Sequence, residues 1–593
     1  MPTENAAAAE VPAARPRFIG ASHRPLFAWH HAPPPHLRRG VGIVLCPPLG
    51  YEYMSAYPTF RLLAERLAAL GFDTLRVDYD GTGDSAGDYD EPGRVPAWLG
   101  SVTCAIEEAR RLAGSGPVAV VGLRAGALMA VHAAAACGGV GRLVLWSPFA
   151  SGHAYVRELK ALAGLSVQEH AHEEPDEPGV NAAGHLMTRE TIEALDRWTL
   201  DGVVTPPAPD VLIVDRDDLS VAAALDARLE MLGARVTRIR PAGTAAMLEL
   251  PQNARVPEAA LDEITTWFGR WSATPRPAAA DSPAMEDGAA AFAAGEQYRE
   301  RTVRFGRGDR LFGILTAPAL ESGAAPSIIM LNTGVEYHVG PHRLYVPLAR
   351  EWAAHGHLVL RFDLGGIGDS APPPDAPVNV AYPQHMLDNM QDAIAFVRKE
   401  APHRQVIVAG LCSGGWLAFQ AARDGLAVDA IVSVNPPLYL RDGADGMQWI
   451  TEGDELERYR QSIRDPSKWA KALRGDASYA TFVRVAASAL SRRVAARVSG
   501  VLGDTVPDGL SRDLCTIADR RIKSLFVFSE GDDGLEYFRL HAQPALRLAK
   551  VRDFVQHVVV EGAGHTFRPR SAQHTLRELL IDFVGAHGPT SLL

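Results

Sequence analysis

The chain has 593 residues, of which 47% are hydrophobic and 22% charged, with a formal net charge of −11. That length exceeds one core and calls for two or more domains of ordinary soluble composition. The negative balance excludes an overall basic footprint for nucleic acid, and no apolar run approaches the length that spans a bilayer.

Met1 to Pro16 is rich in Ala and Pro and lacks a basic region followed by an apolar core, so it reads as a frayed tail and not a secretion signal. Beyond it, apolar strands alternate with helical stretches, the mark of βαβ units and a mostly parallel sheet. Strands are expected near 41–46, 74–78, 118–122, 142–147, 211–215 and 235–239. A second series is expected near 327–332, 357–363, 406–410, 430–435, 524–528 and 557–560, led by an antiparallel hairpin at 301–305 and 311–317.

The two series are copies. Leu75-Arg76-Val77-Asp78, running on to Gly83-Asp84-Ser85, recurs as Leu360-Arg361-Phe362-Asp363 and Gly368-Asp369-Ser370 at an offset of 285. Gly122-Leu123-Arg124-Ala125-Gly126 recurs as Gly410-Leu411-Cys412-Ser413-Gly414 at an offset of 288. Between the copies, Ser272 to Gly295 is rich in Ala, Pro and Asp and short of bulky apolar residues, as linkers are. The chain therefore divides into a first domain at 1–271, a linker at 272–296 and a second domain at 297–593. Stretches without a clear strand, 149–208 in the first domain and about 437–520 in the second, read as helical caps. Trp449, Tyr459, Trp469, Tyr479 and Phe482 in the second cap either line an apolar pocket or join cap helices to one another.

The chemistry concentrates in the second domain. The run Val406 to Gly410 enters Gly-x-Cys-x-Gly, and a helix-like stretch follows, the nucleophile-elbow layout with Cys412 at the apex. Gly410 and Gly414 stand where side chains would collide with the neighbouring strand and helix. The strand at 524–528 runs into Ser529-Glu530-Gly531-Asp532-Asp533, and that at 557–560 into Gly562-Ala563-Gly564-His565. Nucleophile, acid and histidine in this order match α/β-hydrolases, and each follows a strand, at the carboxyl edge where open α/β sheets place their sites. The catalytic set is Cys412, His565 and Asp532, with Asp533 competing for the acid and Ser413 the alternative nucleophile. The oxyanion donors expected are the backbone N–H of Ser413 and, from the loop after the 327–332 strand, those of Gly334 and Val335. In the same loop His338, His342 and Arg343 are candidates for substrate contact, or for packing against the turn at 363–370.

The first domain lacks this chemistry. Arg124 holds the nucleophile position, Asp218 follows a strand, and no His lies near Pro251, where the spacing of the second domain would put one. It reads as a pseudo-hydrolase domain. The fold class is thus α/β: two tandem α/β-hydrolase domains, each a mostly parallel sheet flanked by helices with a helical cap.

The second domain resembles the exosortase-A-system-associated hydrolases of type 1, on Gly340-Pro341-His342-Arg343, Leu360-Arg361-Phe362-Asp363, Gly368-Asp369-Ser370, Gly410-Leu411-Cys412 and Ala563-Gly564-His565-Thr566-Phe567. The first is similar to the type 2 family, on Pro47-Pro48, Gly81-Thr82-Gly83-Asp84-Ser85 and Gly122 to Leu128, where Arg at the elbow is also that family's habit. The resemblance implies the fold and the Cys412–His565–Asp532 assignment. Two departures, Ser413 in place of the usual Asp and the fusion of both types in one chain, leave room for another pathway, such as acyl transfer in natural-product or exopolysaccharide biosynthesis.

The function expected is acyl transfer through an acyl-Cys intermediate, from an ester or thioester to water or another acceptor. Small-molecule acyl esters and thioesters, including those on coenzyme A or an acyl carrier protein, are the partners this chemistry suits. The alternatives are a carbon–carbon or lactone hydrolase using the same triad, and a non-catalytic tandem scaffold or partner-binding protein. No metal, nucleotide or flavin motif is present, so no cofactor is expected. The five cysteines, scattered, odd in number and without metal-ligand spacing, fit a reducing cytoplasm.

Overall fold

A computed structural model describes residues 14–169, 179–182, 184–218, 224–271, 289–290, 297–320, 325–443, 446–449 and 509–586. Most of the second cap, with Tyr459, Trp469, Tyr479 and Phe482, and nearly all of the linker lie outside them. The chain divides into two compact units, Met1–Ala409 with Gly562–Leu593, and Gly410–Glu561.

In the first unit an eight-stranded sheet is built from β1 (Ala14–Ile19), β2 (Leu26–His31), β3 (Gly42–Cys46), β4 (Asp73–Val77), β5 (Val118–Leu123), β6 (Val140–Trp146), β9 (Asp210–Val214) and β10 (Arg235–Ile239), in the order β1-β2-β4-β3-β5-β6-β9-β10. The six strands from β3 to β10 run parallel, and β1 and β2 form an antiparallel flank. Alternation sends Val44 and Cys46 to one face and Ile43 and Leu45 to the other. Helices α2 (Arg94–Leu112) and α3 (Ala125–Cys137) cover the first face, while α1 (Tyr51–Ala69) and the helix Glu258–Gly269 cover the second. Both faces are therefore buried, which is why these strands read as continuous apolar runs.

Two expectations need correction. Ala14 to Pro16, assigned to a frayed tail, belong to β1; Pro16 is tolerated because β1 is an edge strand, where a missing N–H breaks no inner ladder. The first cap holds α4 (Gly152–Glu169) and the helix Arg189–Asp196 as expected, but also an antiparallel hairpin, β7 (Gly179–Ala182) with β8 (His185–Thr188), and the second cap, expected to be helical, likewise begins with a hairpin, β18 (Leu440–Gly443) with β19 (Gly446–Trp449); both are too short for a period of two to show.

The strands of the second sheet fall in both units. In the first, β12 (Tyr298–Phe305) and β13 (Leu311–Pro318) form the expected hairpin; β13 pairs antiparallel with β15 (Leu358–Phe362), and β15 parallel with β14 (Ser327–Leu331). The strand β16 (Val406–Leu411) carries the boundary between units. In the second, β17 (Ala430–Val434), β20 (Lys523–Ser529) and β21 (Val555–Val560) are parallel neighbours. The sequence thus folds as two mostly parallel sheets flanked by helices, as expected.

Within the first unit the two copies of the repeated motif meet, and they meet reciprocally. Arg76 on β4 donates to Asp369 of the other copy at 2.5 Å, and Arg361 on β15 donates to Asp84 at 2.7 Å. Both pairs join positions that are equivalent under the offset of 285. Phe27 and Trp29 on β2 cluster with Phe312 and Ile314 on β13, again equivalent positions. Each copy gives what it receives, as in an isologous interface about a two-fold axis. His338 sits inside this network, with Nδ1 2.9 Å from Asp363 and Nε2 2.7 Å from Asp84. Arg343 donates to the Gly83, Gly87 and Ser85 carbonyls and to Asp88. The turns themselves are matched: Ser85 and Ser370 each bridge a backbone N–H on the hairpin to the carbonyl of Asp78 or Asp363. A Cβ on Gly83 or Gly368 would strike the same two carboxylates at 1.9 and 2.2 Å.

Candidate functional site

Cys412 follows β16 directly, and the helix Ser413–Asp424 starts at the next residue. Its backbone is held at φ 55°, ψ −117°, in a region that costs a side-chain-bearing residue about 1–3 kcal/mol. The turn is fixed by its surroundings: the Cys412 N–H donates to Val434 on β17, and the Trp416 N–H donates back to the Cys412 carbonyl. A Cβ on Gly410 would lie 2.3 Å from the Gly414 carbonyl carbon. Glycine is therefore required one turn below the apex, as its spacing predicts. Cys412 is half-buried with a free thiol, and Ser413 is buried.

Asp532 ends the turn after β20. It is half-buried, and its carboxylate caps the helix Asp533–His541 by accepting the Gly534 N–H at 2.9 Å. Asp533, the first residue of that helix, is exposed. Within this unit the elbow and the acid loop are tied through neighbouring strand ends: Asn435, one residue past β17, exchanges side-chain hydrogen bonds of 2.7 and 3.0 Å with Ser529 at the end of β20. Cys412 and Asp532 thus stand at the carboxyl edge of parallel strands, where sheets of this type place their sites. His565 is exposed in the loop after β21 and belongs to the other unit, as do Gly334 and Val335, both half-buried in the loop after β14. Gly334 has φ +57°.

The three remaining candidates part company. Both ring nitrogens of His338 are taken up between Asp84 and Asp363, and Arg343 is bound to the first copy of the motif, so both hold structural positions where substrate contact was one expectation. Burial works against charge on His338, but Asp363 and Asp84 outweigh it and push the imidazole up to about 10. His342 lines a small cavity of about 70 Å³ with Tyr53, Met54, Leu186 and Tyr337. Its Nε2 is 3.3 Å from Thr566, its Nδ1 is unbonded among the described residues, and burial holds it well below the usual histidine range, hence neutral.

Glu336, beside the expected oxyanion residues, is a site residue that the sequence pattern does not reveal. The residue is half-buried as a whole, but its Oε2 is enclosed without a partner among the described residues, and burial pushes the carboxyl up to about 7. The sequence offered one signal, an acidic residue two places after a glycine in the loop after a strand.

The first half repeats the elbow with Arg124 where the second half has Cys412. Arg124 stands between β5 and α3 at φ 56°, ψ −120°, within a few degrees of Cys412. Its N–H donates to Trp146, as that of Cys412 does to Val434. The guanidinium is 4% exposed; it donates to Glu52 at 2.8 Å, bonds Glu158 of α4, and lies 4.1 Å from the Phe149 ring centre. Burial opposes its charge, and the two carboxylates more than compensate. Asp218 is paired with Arg216 at 2.7 Å. No helix among the described residues is long and apolar enough to cross a membrane.

Two segments, residues 51–188 and 324–463, each match the Hydrolase_4 family model, described as serine aminopeptidase S33. They span both elbows, one in each half, and support a tandem α/β-hydrolase. No curated protein sequence matches the chain. Solved structures similar to parts of it include XC6422 from Xanthomonas campestris, titled a member of a/b serine hydrolase without lid (20% identity, 38% of this chain and 83% of that one, TM-score 0.26). The esterase Pf2001 of Pyrococcus furiosus matches at 13% identity over 49% of this chain and 94% of that one, TM-score 0.32. Est1E from Butyrivibrio proteoclasticus matches at 18% over 43% and 96%, TM-score 0.29.

Proposed function

We propose that the second half is a cysteine-nucleophile enzyme that takes an acyl group from an ester or thioester and passes it to water or another acceptor. The observation that carries this reading is the backbone of Cys412, held at φ 55°, ψ −117° with a free, half-buried thiol at the start of a helix. A strained turn of this kind persists only where the surroundings over-determine it, and such turns concentrate at sites of chemistry. In this reading His565 removes the thiol proton, the thiolate sulfur bonds to the acyl carbon, and the carbonyl oxygen becomes an oxyanion accepting from the Ser413 N–H and from Gly334 or Val335. Collapse breaks the bond to the alkoxide or thiolate, which leaves with the proton from His565. The acceptor then reverses these steps. Asp532 orients the imidazole and stabilises its charge; it is preferred to Asp533 because it is half-buried at the strand end. His338 and Arg343 are not assigned to substrate, and His342 keeps that candidacy.

One observation favours the scaffold reading: Arg124 adopts the same backbone with no nucleophile, so the elbow can be retained for packing alone. The two readings separate on intact-protein mass after incubation with p-nitrophenyl and coenzyme A esters, beside Cys412→Ala. A single acyl adduct on the wild type, absent from the variant, supports covalent catalysis. No adduct and no turnover with any donor, together with a Cys412 thiol inert to iodoacetamide at neutral pH, leaves the scaffold.

A further inference from the structure

The first half has lost its nucleophile and kept a cavity. A half-open pocket of about 220 Å³ lies above Arg124, more than the roughly 150 Å³ that suffices for benzene in an apolar cavity. Leu159 and Leu162 of α4 and Met187 of β8 supply apolar walls. Two enclosed polar atoms on its lining residues have no partner among the described residues: Oε2 of Glu52 and the hydroxyl of Tyr155. Those residues are only 4% and 3% exposed. An enclosed polar atom without a hydrogen bond is destabilising, and two on residues that line one pocket mark a place that a ligand's polar group completes.

The charges choose the ligand. The lining holds two carboxylates, Glu52 and Glu158, against one guanidinium, Arg124; a second, Arg216, stands 4.0 Å from Glu158 but is itself paired with Asp218 at 2.7 Å, so one negative charge remains in excess. Its histidine, His185, is held down to about 4, chiefly by burial, and is neutral at neutral pH. An anionic head group would add to this excess of negative charge and would bring Glu52 no donor. We propose that the cavity binds a primary amine on a short aliphatic body, its ammonium donating to Oε2 of Glu52 and to the Tyr155 hydroxyl while its carbons lie against Leu159, Leu162 and Met187. An ammonium has three donors and no acceptor, which matches two acceptors in a net-negative, apolar-walled site. The first half would then be a binding module for amines, whatever reaction the second half performs.

The test is calorimetric titration of the full chain with hexylamine, 1-hexanol and hexanoate, together with thermal unfolding, since a ligand of the native state raises the melting temperature with its concentration. Saturable hexylamine binding is expected, at least tenfold tighter than that of 1-hexanol and with no binding of hexanoate. Tyr155→Phe, which removes one oxygen, should weaken hexylamine at least tenfold. Leu159→Trp, which fills the cavity, should abolish it. Cys412→Ala should leave it unchanged, separating this site from the proposed reaction. Equal binding of all three compounds, an unchanged affinity in Tyr155→Phe, or loss of binding in Cys412→Ala would each overturn the proposal.

Discussion

The His338 imidazole should make the stability of the first unit fall as the solution becomes alkaline. The ring is 1% exposed, with a carboxylate on each nitrogen, Asp363 at 2.9 Å and Asp84 at 2.7 Å. It is pushed up to about 10 in the folded chain, against an ordinary value of 6.5. A group whose proton is held more tightly in the native state contributes its full stabilisation below the unfolded value, and that contribution is lost as pH rises through the folded one. The window is therefore pH 6.5 to about 10. At 1.36 kcal/mol per pH unit, the ceiling is about 5 kcal/mol. The assay is denaturant unfolding at half-unit steps from pH 6 to 10 for the wild type and for His338→Gln, which keeps a hydrogen-bonding side chain without the titration. Other groups titrate in this range in both proteins, so the difference between the curves isolates His338. The variant should be less stable at pH 6, by several kcal/mol, and the gap should close by pH 10. A gap that does not vary with pH would refute the claim that His338 is a cation between two carboxylates.

The reciprocal exchange makes its own prediction. Arg76→Met leaves the buried Asp369 with the Tyr57 hydroxyl as its remaining side-chain hydrogen bond among the described residues, and stranding one member of a buried pair costs about 3–5 kcal/mol. Arg76→Met with Asp369→Asn should cost less than the sum of the two single changes by 2 kcal/mol or more, on the order of the coupling seen for residues in direct contact, as read by a double-mutant cycle in urea. Gly410→Ala places a Cβ 2.3 Å from the Gly414 backbone and Gly122→Ala one 2.5 Å from the Gly126 carbonyl oxygen, whereas Gly585→Ala meets nothing within 4 Å. The first two should lose about 3 kcal/mol or more, and the third should be neutral or slightly stabilising, by melting temperature. Glu336, pushed up to about 7 from 4.5, has the opposite titration to a salt-bridged carboxylate: its contribution is present below pH 4.5 and is lost as pH rises to 7. Glu336→Gln should therefore be more stable than the wild type at pH 8, by up to about 3 kcal/mol, with the advantage shrinking toward pH 5.

The strands, the duplication and both elbows were legible in the sequence because each is specified locally. Continuous apolar runs of β-branched residues betray strands buried on two faces, and glycine at the start of each elbow follows from a clash between residues four apart, Gly410 with Gly414 and Gly122 with Gly126. The first hairpin escaped because Pro16 and its Ala-rich approach look like a tail until β2 is there to pair with them. What only the tertiary structure decided is the work of the repeated motif. The sequence displays Arg76, Asp84, Arg361 and Asp369 as two copies of one pattern, yet nothing local says that each arginine serves the aspartate of the other copy. The ion pairs span 277 and 293 positions of the chain, and periodicity carries no information over such a distance. His338 shows the same limit: a histidine in a glycine-rich loop reads equally well as a ligand contact or a buried cation, and the choice was made by two carboxylates brought from β15 and from the turn after β4.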